Sequence, residues 1–145
     1  MIQQLTSISR IQALSEAIDW QDSIVKAGNI LLSHQDIKGR YIEAMIQKVK
    51  DYGQYIVIAP GIAMPHARPE EGALRTSVAI MTLKEPVVFG HRQNDPVRII
   101  ICLAAVDNSA HLEALSDIAD IFGDQEKLES ILCQTDAEGI YDLLV

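Results

Sequence analysis

Little in this chain belongs to the usual equipment of a secreted, membrane-spanning or nucleic-acid-binding protein. Cysteine occurs only at Cys102 and Cys133, without the close spacing of a metal-binding pair. Both sit in apolar neighbourhoods and read as reduced core residues; neither has a sequence-local base or cation to lower its thiol pKa. The longest wholly apolar run, Ile99 to Val106, is too short to cross a bilayer as a helix and reads as a buried strand. Met1 to Ser7 lacks a basic region followed by an apolar stretch and a cleavage site, so no secretory signal is expected. A cytoplasmic protein with no direct membrane insertion is the default. Basic residues are scarce, 12 against 20 acidic, and the net charge of -8 disfavours a phosphate-backbone binder, so no nucleic acid is expected as partner. Repeats and low-complexity segments are absent.

What the chain does have is a 48% hydrophobic, 22% charged balance at a length of 145 residues, suited to a single soluble domain spanning 1–145. Ile8 to Ile18 alternate loosely, as an early strand would. Asp19 is placed to cap a helix from Trp20 that fades around His34, with Trp20, Ile24, Ala27 and Leu31 on its apolar face; His34 reads as a solvated helix-end residue. Arg40 to Tyr52 predicts a second helix ended by Gly53, with Lys48 and Lys50 as solvated charges. Strands are predicted at Tyr55 to Ala59 and at Thr76 to Leu83, the latter broken by Lys84-Glu85-Pro86. Gly90 to Pro96 is a polar turn, with His91 exposed and Asp95 a turn residue. Val97 to Val106 has the continuous apolar character of a strand covered on both faces. A helix over Ala110 to Phe122, capped by Asn108 or Ser109, buries Leu112, Leu115, Ile118, Ala119 and Phe122. Shorter helices at Gln125 to Cys133 and Asp136 to Leu144 follow. Strands alternating with helices predict an α/β fold, a single-domain layered sandwich with a mixed β-sheet flanked by helices.

One stretch stands apart, Pro60-Gly61-Ile62-Ala63-Met64-Pro65-His66-Ala67-Arg68-Pro69-Glu70-Glu71-Gly72. Its prolines and glycines argue against a helix. Pro65 fixes its own φ and biases Met64 toward extended geometry, so His66 stands on stiffened backbone. His111 likewise follows an apolar strand by a short connection, and loops leaving strands build ligand sites in such sheets. Two histidines at strand exits admit three readings. A zinc site would want a third ligand and tighter spacing. An acid/base pair for hydrolysis would want a nucleophile motif or a phosphate-cradling glycine loop, and neither is present. The third reading is a histidine that is itself the nucleophile and carries a group covalently.

Gly61-Ile62-Ala63-Met64-Pro65-His66, then a strand, Asn94-Asp95-Pro96-Val97, a long apolar strand and Ala110-His111-Leu112 with Leu115, resembles the mannitol/fructose-type enzyme IIA domains of the bacterial phosphoenolpyruvate-dependent sugar phosphotransferase system. The fuller motif from Ala59 to Gly72, with Leu103-Ala104-Ala105-Val106-Asp107, looks most like the ascorbate-specific branch. The resemblance implies a phosphotransferase without cofactor or metal. His66 would accept phosphate from phospho-HPr and pass it to a cysteine of enzyme IIB, and through it serve the membrane enzyme IIC, for uptake of ascorbate or a related sugar acid or polyol. A regulatory module that reports phosphorylation state is the alternative. His111 is implied to be the second active-site histidine, a donor to the phosphoryl oxygens. Arg68 either clamps a phosphoryl oxygen or pairs with Glu70 or Glu71. Ile62, Met64 and Ala67 flank the acceptor as candidates for a docking patch or for core. Mannitol-type members resemble one another in an arginine on the preceding helix, where this chain reads Gln47-Lys48-Val49-Lys50. That phosphate contact falls to Arg68, or to His111 and backbone amides.

Overall fold

The apolar run becomes the middle of the sheet. In the computed structural model, which describes residues 1–145, the strands are β1 (Ile11–Ser15), β2 (Val57–Ala59), β3 (Ile62–Ala63), β4 (Ser77–Val87) and β5 (Val97–Ala104). Their order is β1-β4-β5-β3-β2, with β1 parallel to β4, β3 parallel to β5, and antiparallel pairing elsewhere. Helices α1 (Trp20–Ser33) and α2 (Gly39–Tyr52) cover one face; α3 (Asn108–Phe122), α4 (Gln125–Leu132) and α5 (Ala137–Asp142) cover the other. Because side chains alternate along a strand, Ile100, Cys102 and Ala104 enter the core under α1 and α2, while Ile99, Ile101 and Leu103 enter the core under α3 to α5. Each fully buried isoleucine contributes roughly 1.5–3 kcal/mol by leaving water. This double burial explains why β5 shows no polar alternation, and the layered α/β sandwich with a mixed sheet stands as expected.

Several local expectations change. Helix α3 is capped by Asp107, whose carboxylate accepts the Ala110 N–H at 2.7 Å, and not by Asn108 or Ser109. Its buried stripe is Ala114, Ile118, Ile121 and Phe122, which leaves Leu112 67% exposed. Pro86 does not break β4. Pairing with β1 ends at Leu83, and the register against β5 shifts between Thr82 and Val87, so the missing N–H falls where no ladder partner requires it. Cys102 is buried, which pushes its thiol up to about 12, but Cys133 is exposed at the end of α4 and is no core residue. His91 is half-buried and accepts the Asn94 N–H at 3.1 Å, closing a turn that Asp95 also holds by accepting the Phe89 and Gly90 amides.

The turn-rich segment is more regular than its composition suggests. Gly61, at φ 79°, turns the chain straight from β2 into β3, which pairs with β5. Pro69–Glu71 forms a single 3-10 turn. The far end of the segment is held by Asp36, whose carbonyl accepts the Leu74 and Arg75 amides. The Asp36 carboxylate is itself buried in a two-pronged pair with Arg10, at 2.7 and 3.0 Å.

Candidate functional site

His66 stands beside the C-terminal end of β5, paired with Leu103 and two positions beyond the Met64 carbonyl. Its Nδ1 lies 2.8 Å from that oxygen. A carbonyl only accepts, so Nδ1 carries the proton and the lone pair is left on Nε2. Burial, the largest influence, pushes the His66 pKa below the ordinary histidine value. The Met64 carbonyl opposes this, while the nearby charges of His111 and Lys48 push further down. The ring is therefore neutral, and nucleophilic, at physiological pH.

Helix α3 brings His111 to the same place. Capped by Asp107, the helix carries His111 in its first turn, and the two imidazole centroids lie 5.4 Å apart. Tyr55 closes another side, its ring edge-on to His66 at 5.9 Å. The resulting cleft, about 250 Å³, is lined by Lys48, Tyr55, His66, Arg68, Asn108 and His111 among others. Asn108 and His111 set the first turn of α3 at this cleft, where the end of a helix favours an anion.

Lys48 is the residue that sequence reasoning missed. Read as a solvated charge, it is half-buried, lines the cleft, and pairs with Glu71 at 3.1 Å. Its signal was its place two turns beyond Tyr41, at the edge of the buried stripe of α2, where a lysine is seldom left without a task. The 3-10 turn after His66 delivers Glu71 to it. That carboxylate, though opposed by partial burial, is held below the usual range by the Arg68 N–H at 3.1 Å and the Lys48 ammonium. Arg68 thus meets Glu71 through its backbone. Its guanidinium is exposed at the rim of the cleft and forms no ion pair with Glu70 or Glu71.

Of the two readings offered for the residues flanking His66, core holds and docking does not. Ile62, Met64 and Ala67 are buried, Met64 to 5% exposure, because β3 and the residues after it are inserted beside β5. The exposed apolar side chains at this end of the sheet are Tyr55, Leu74, Val106 and Leu112. No group of three or more His, Cys, Asp or Glu side chains comes together as a metal would require, so His66 and His111 lack a third ligand. No helix is long and apolar enough to cross a membrane.

Comparison with known proteins fits this geometry. Residues 4–145 match the family described as phosphoenolpyruvate-dependent sugar phosphotransferase system, EIIA 2. The chain is 42% identical over 137 residues to the ascorbate-specific PTS system EIIA component of Shigella boydii serotype 4 (strain Sb227), covering 93% of this chain and 87% of that protein. Among solved structures it resembles the mannitol-specific cryptic phosphotransferase enzyme IIA of Escherichia coli, with a TM-score of 0.90, 32% identity and coverage of 99% and 98%. It also resembles the nitrogen regulatory protein IIA-Ntr from Neisseria meningitidis, with a TM-score of 0.83, 26% identity and coverage of 99% of both chains.

Proposed function

Since this chain belongs to the EIIA 2 family of the phosphoenolpyruvate-dependent sugar phosphotransferase system, we propose that it is a phosphohistidine carrier in which Nε2 of His66 accepts phosphate from phospho-HPr and yields it to a cysteine of enzyme IIB. The observation that carries this reading is the Nδ1 contact with Met64, which leaves a lone pair on a neutral ring beside the cations of an open cleft. Residues 1–145 act as one cytoplasmic domain feeding, through enzyme IIB, the membrane enzyme IIC. The likeness to an ascorbate-specific component favours ascorbate or a related sugar acid or polyol as the transported substrate.

In the transfer the Nε2 lone pair forms a bond to phosphorus as the bond to the donor imidazole of HPr breaks, its electron pair returning to that ring. The His66 ring gains positive charge, which the Met64 carbonyl stabilises through Nδ1–H. His111, Lys48, Arg68 and the first amides of α3 spread the charge on the phosphoryl oxygens. Lys48 supplies the cation that the family places on this helix as arginine, as a point charge and not a fork. Tyr55, Leu74, Val106 and Leu112 give the two protein partners a partly apolar rim to dock on.

A second reading, a regulatory module that reports phosphorylation state, draws on the likeness to the nitrogen regulatory protein. One reconstituted relay decides between them. With phosphoenolpyruvate, enzyme I and HPr, the wild-type protein takes up acid-labile phosphate and His66→Ala takes up none. With the ascorbate-type enzyme IIB added, the label moves to a cysteine. Label on His66→Ala overturns the acceptor assignment, and label that stays on the wild-type protein with every enzyme IIB favours the regulatory role.

A further inference from the structure

A side chain stands where backbone pairing between the His66 segment and β5 would otherwise run. His66 pairs with Leu103 in parallel register, and the Leu103 N–H donates to the Pro65 carbonyl at 3.1 Å. In a parallel ladder the next rung would join the Ala67 N–H to the Leu103 carbonyl. Instead the Ala67 N–H donates to Tyr41 Oη at 3.0 Å, and Oη lies 2.8 Å from the Leu103 carbonyl oxygen. The Ala67 carbonyl is farther, at 3.2 Å. A phenol has one proton to give, so Oη donates to Leu103 and receives Ala67 on a lone pair. Burial holds the hydroxyl protonated, well above the ordinary tyrosine value. The ring is 0% exposed and packs in the core under α1 and α2.

The hydroxyl is therefore a spacer one bond wide between β5 and the residue that follows His66. Its helix has a second stake in the site, because α2 carries Lys48 two turns farther on, at the edge of the same buried face. One rigid element thus sets the height of the histidine loop above β5 and supplies the cation beside the imidazole. We propose that Tyr41 is a positioning residue for phosphoryl transfer, its hydroxyl holding the His66 loop off β5 at the distance that places the imidazole against Lys48 and His111. This rests on His66 being the phosphoryl acceptor.

Tyr41→Phe keeps the ring and removes the spacer. The freed Ala67 N–H and Leu103 carbonyl, costly to leave unpaired when buried, then close on each other and draw the loop toward β5. Displacement of a reacting atom by about 1 Å costs on the order of 10²-fold in rate, so acceptance from phospho-HPr is expected to fall at least about tenfold. The imidazole, moved relative to Lys48 and the cleft wall, is expected to titrate at a different pH in a histidine NMR titration. Lys48→Arg, with a longer reach, is expected to restore part of the rate in the Tyr41→Phe background. A folded Tyr41→Phe protein with wild-type rate and wild-type His66 titration overturns the proposal. So does a rate loss that matches only the unfolded fraction, with the His66 titration unchanged. If Tyr41→Phe does not fold unaided, an excluded osmolyte such as trimethylamine N-oxide favours its compact state. An unaltered His66 titration in that folded protein overturns the proposal. A wild-type protein that takes no phosphate sinks the carrier reading and with it the transfer role of Tyr41, whereas a shifted His66 titration in Tyr41→Phe still shows that the hydroxyl places the imidazole.

Discussion

His66 and His34 are restrained alike and surrounded differently. Each has its Nδ1 at 2.8 Å from a main-chain carbonyl, Met64 for one and Ile30 for the other, so each keeps its proton on Nδ1 and its lone pair on Nε2. For His34 the carbonyl also accepts the Ser33 hydroxyl at 2.7 Å, and Nε2 is taken by the Ser9 hydroxyl at 2.9 Å. The expected solvated helix-end residue is in fact half-buried and bonded at both nitrogens. For His66, Nε2 belongs to a cleft that also holds His111, Lys48 and Arg68. Fixing a tautomer is thus an ordinary outcome of local backbone geometry. What sets His66 apart from His34, and makes it the proposed acceptor, is a nitrogen that faces a cleft lined with cations.

If those groups make the difference, stripping them should bring His66 closest to the condition of His34. The largest effect expected is from His111→Ala. Loss of one preorganised donor to a developing anion costs on the order of 10²-fold in rate, and phosphoryl acceptance measured by quench-flow with labelled phospho-HPr should fall by about that factor. Label should still settle on His66. A rate within twofold of wild type would leave His111 as a cap residue of α3.

Lys48→Met comes next. One charge-assisted hydrogen bond is worth roughly 1.5 kcal/mol, or about tenfold in rate. Removing a like charge also raises the His66 pKa, since Lys48 is among the groups that lower it. In the wild-type protein the depressed pKa keeps the acceptor neutral at and somewhat below the ordinary histidine value, and competence is lost as pH falls through the depressed one. In Lys48→Met that loss should begin at higher pH. Stability follows the same sign: the unfolded chain binds the proton more readily, so His66 makes folding more favourable as pH rises between its folded and unfolded pKa values. Parallel pH profiles for the two proteins would remove Lys48 from the site.

Local signals made much of this legible. The double-sided apolar strand and the Asp19 cap depend on near neighbours in sequence, and they reappear as β5 and α1, whereas β3 inside the proline-rich segment is not legible. What escaped depends on chain segments meeting. Lys48 reads as a surface lysine until the turn at Pro69–Glu71 folds Glu71 back over α2. Met64 reads as a docking residue until β3 is seen inserted beside β5, and Leu112 as core until the stripe of α3 rotates to Ala114 and Ile118. Tyr41 reads as one more apolar position on a helix, because nothing local indicates that its hydroxyl replaces a rung of a ladder.

The smallest effect tests the comparison from its other side. Ser9→Ala uncovers Nε2 of His34 without adding any cation, so His34 would then match His66 in tautomer and in vacancy alone. Ser9 is exposed and its hydroxyl bonds only His34 and the neighbouring Ser7 hydroxyl, so thermal unfolding should shift by no more than about 1 kcal/mol. Combined with His66→Ala, it should leave a protein that takes no acid-labile phosphate from phospho-HPr, because the uncovered imidazole has no His111 or Lys48 to receive the phosphoryl oxygens. Phosphate on His34 in that double variant would mean that a free nitrogen on a fixed tautomer suffices, and that the cations around His66 serve only rate.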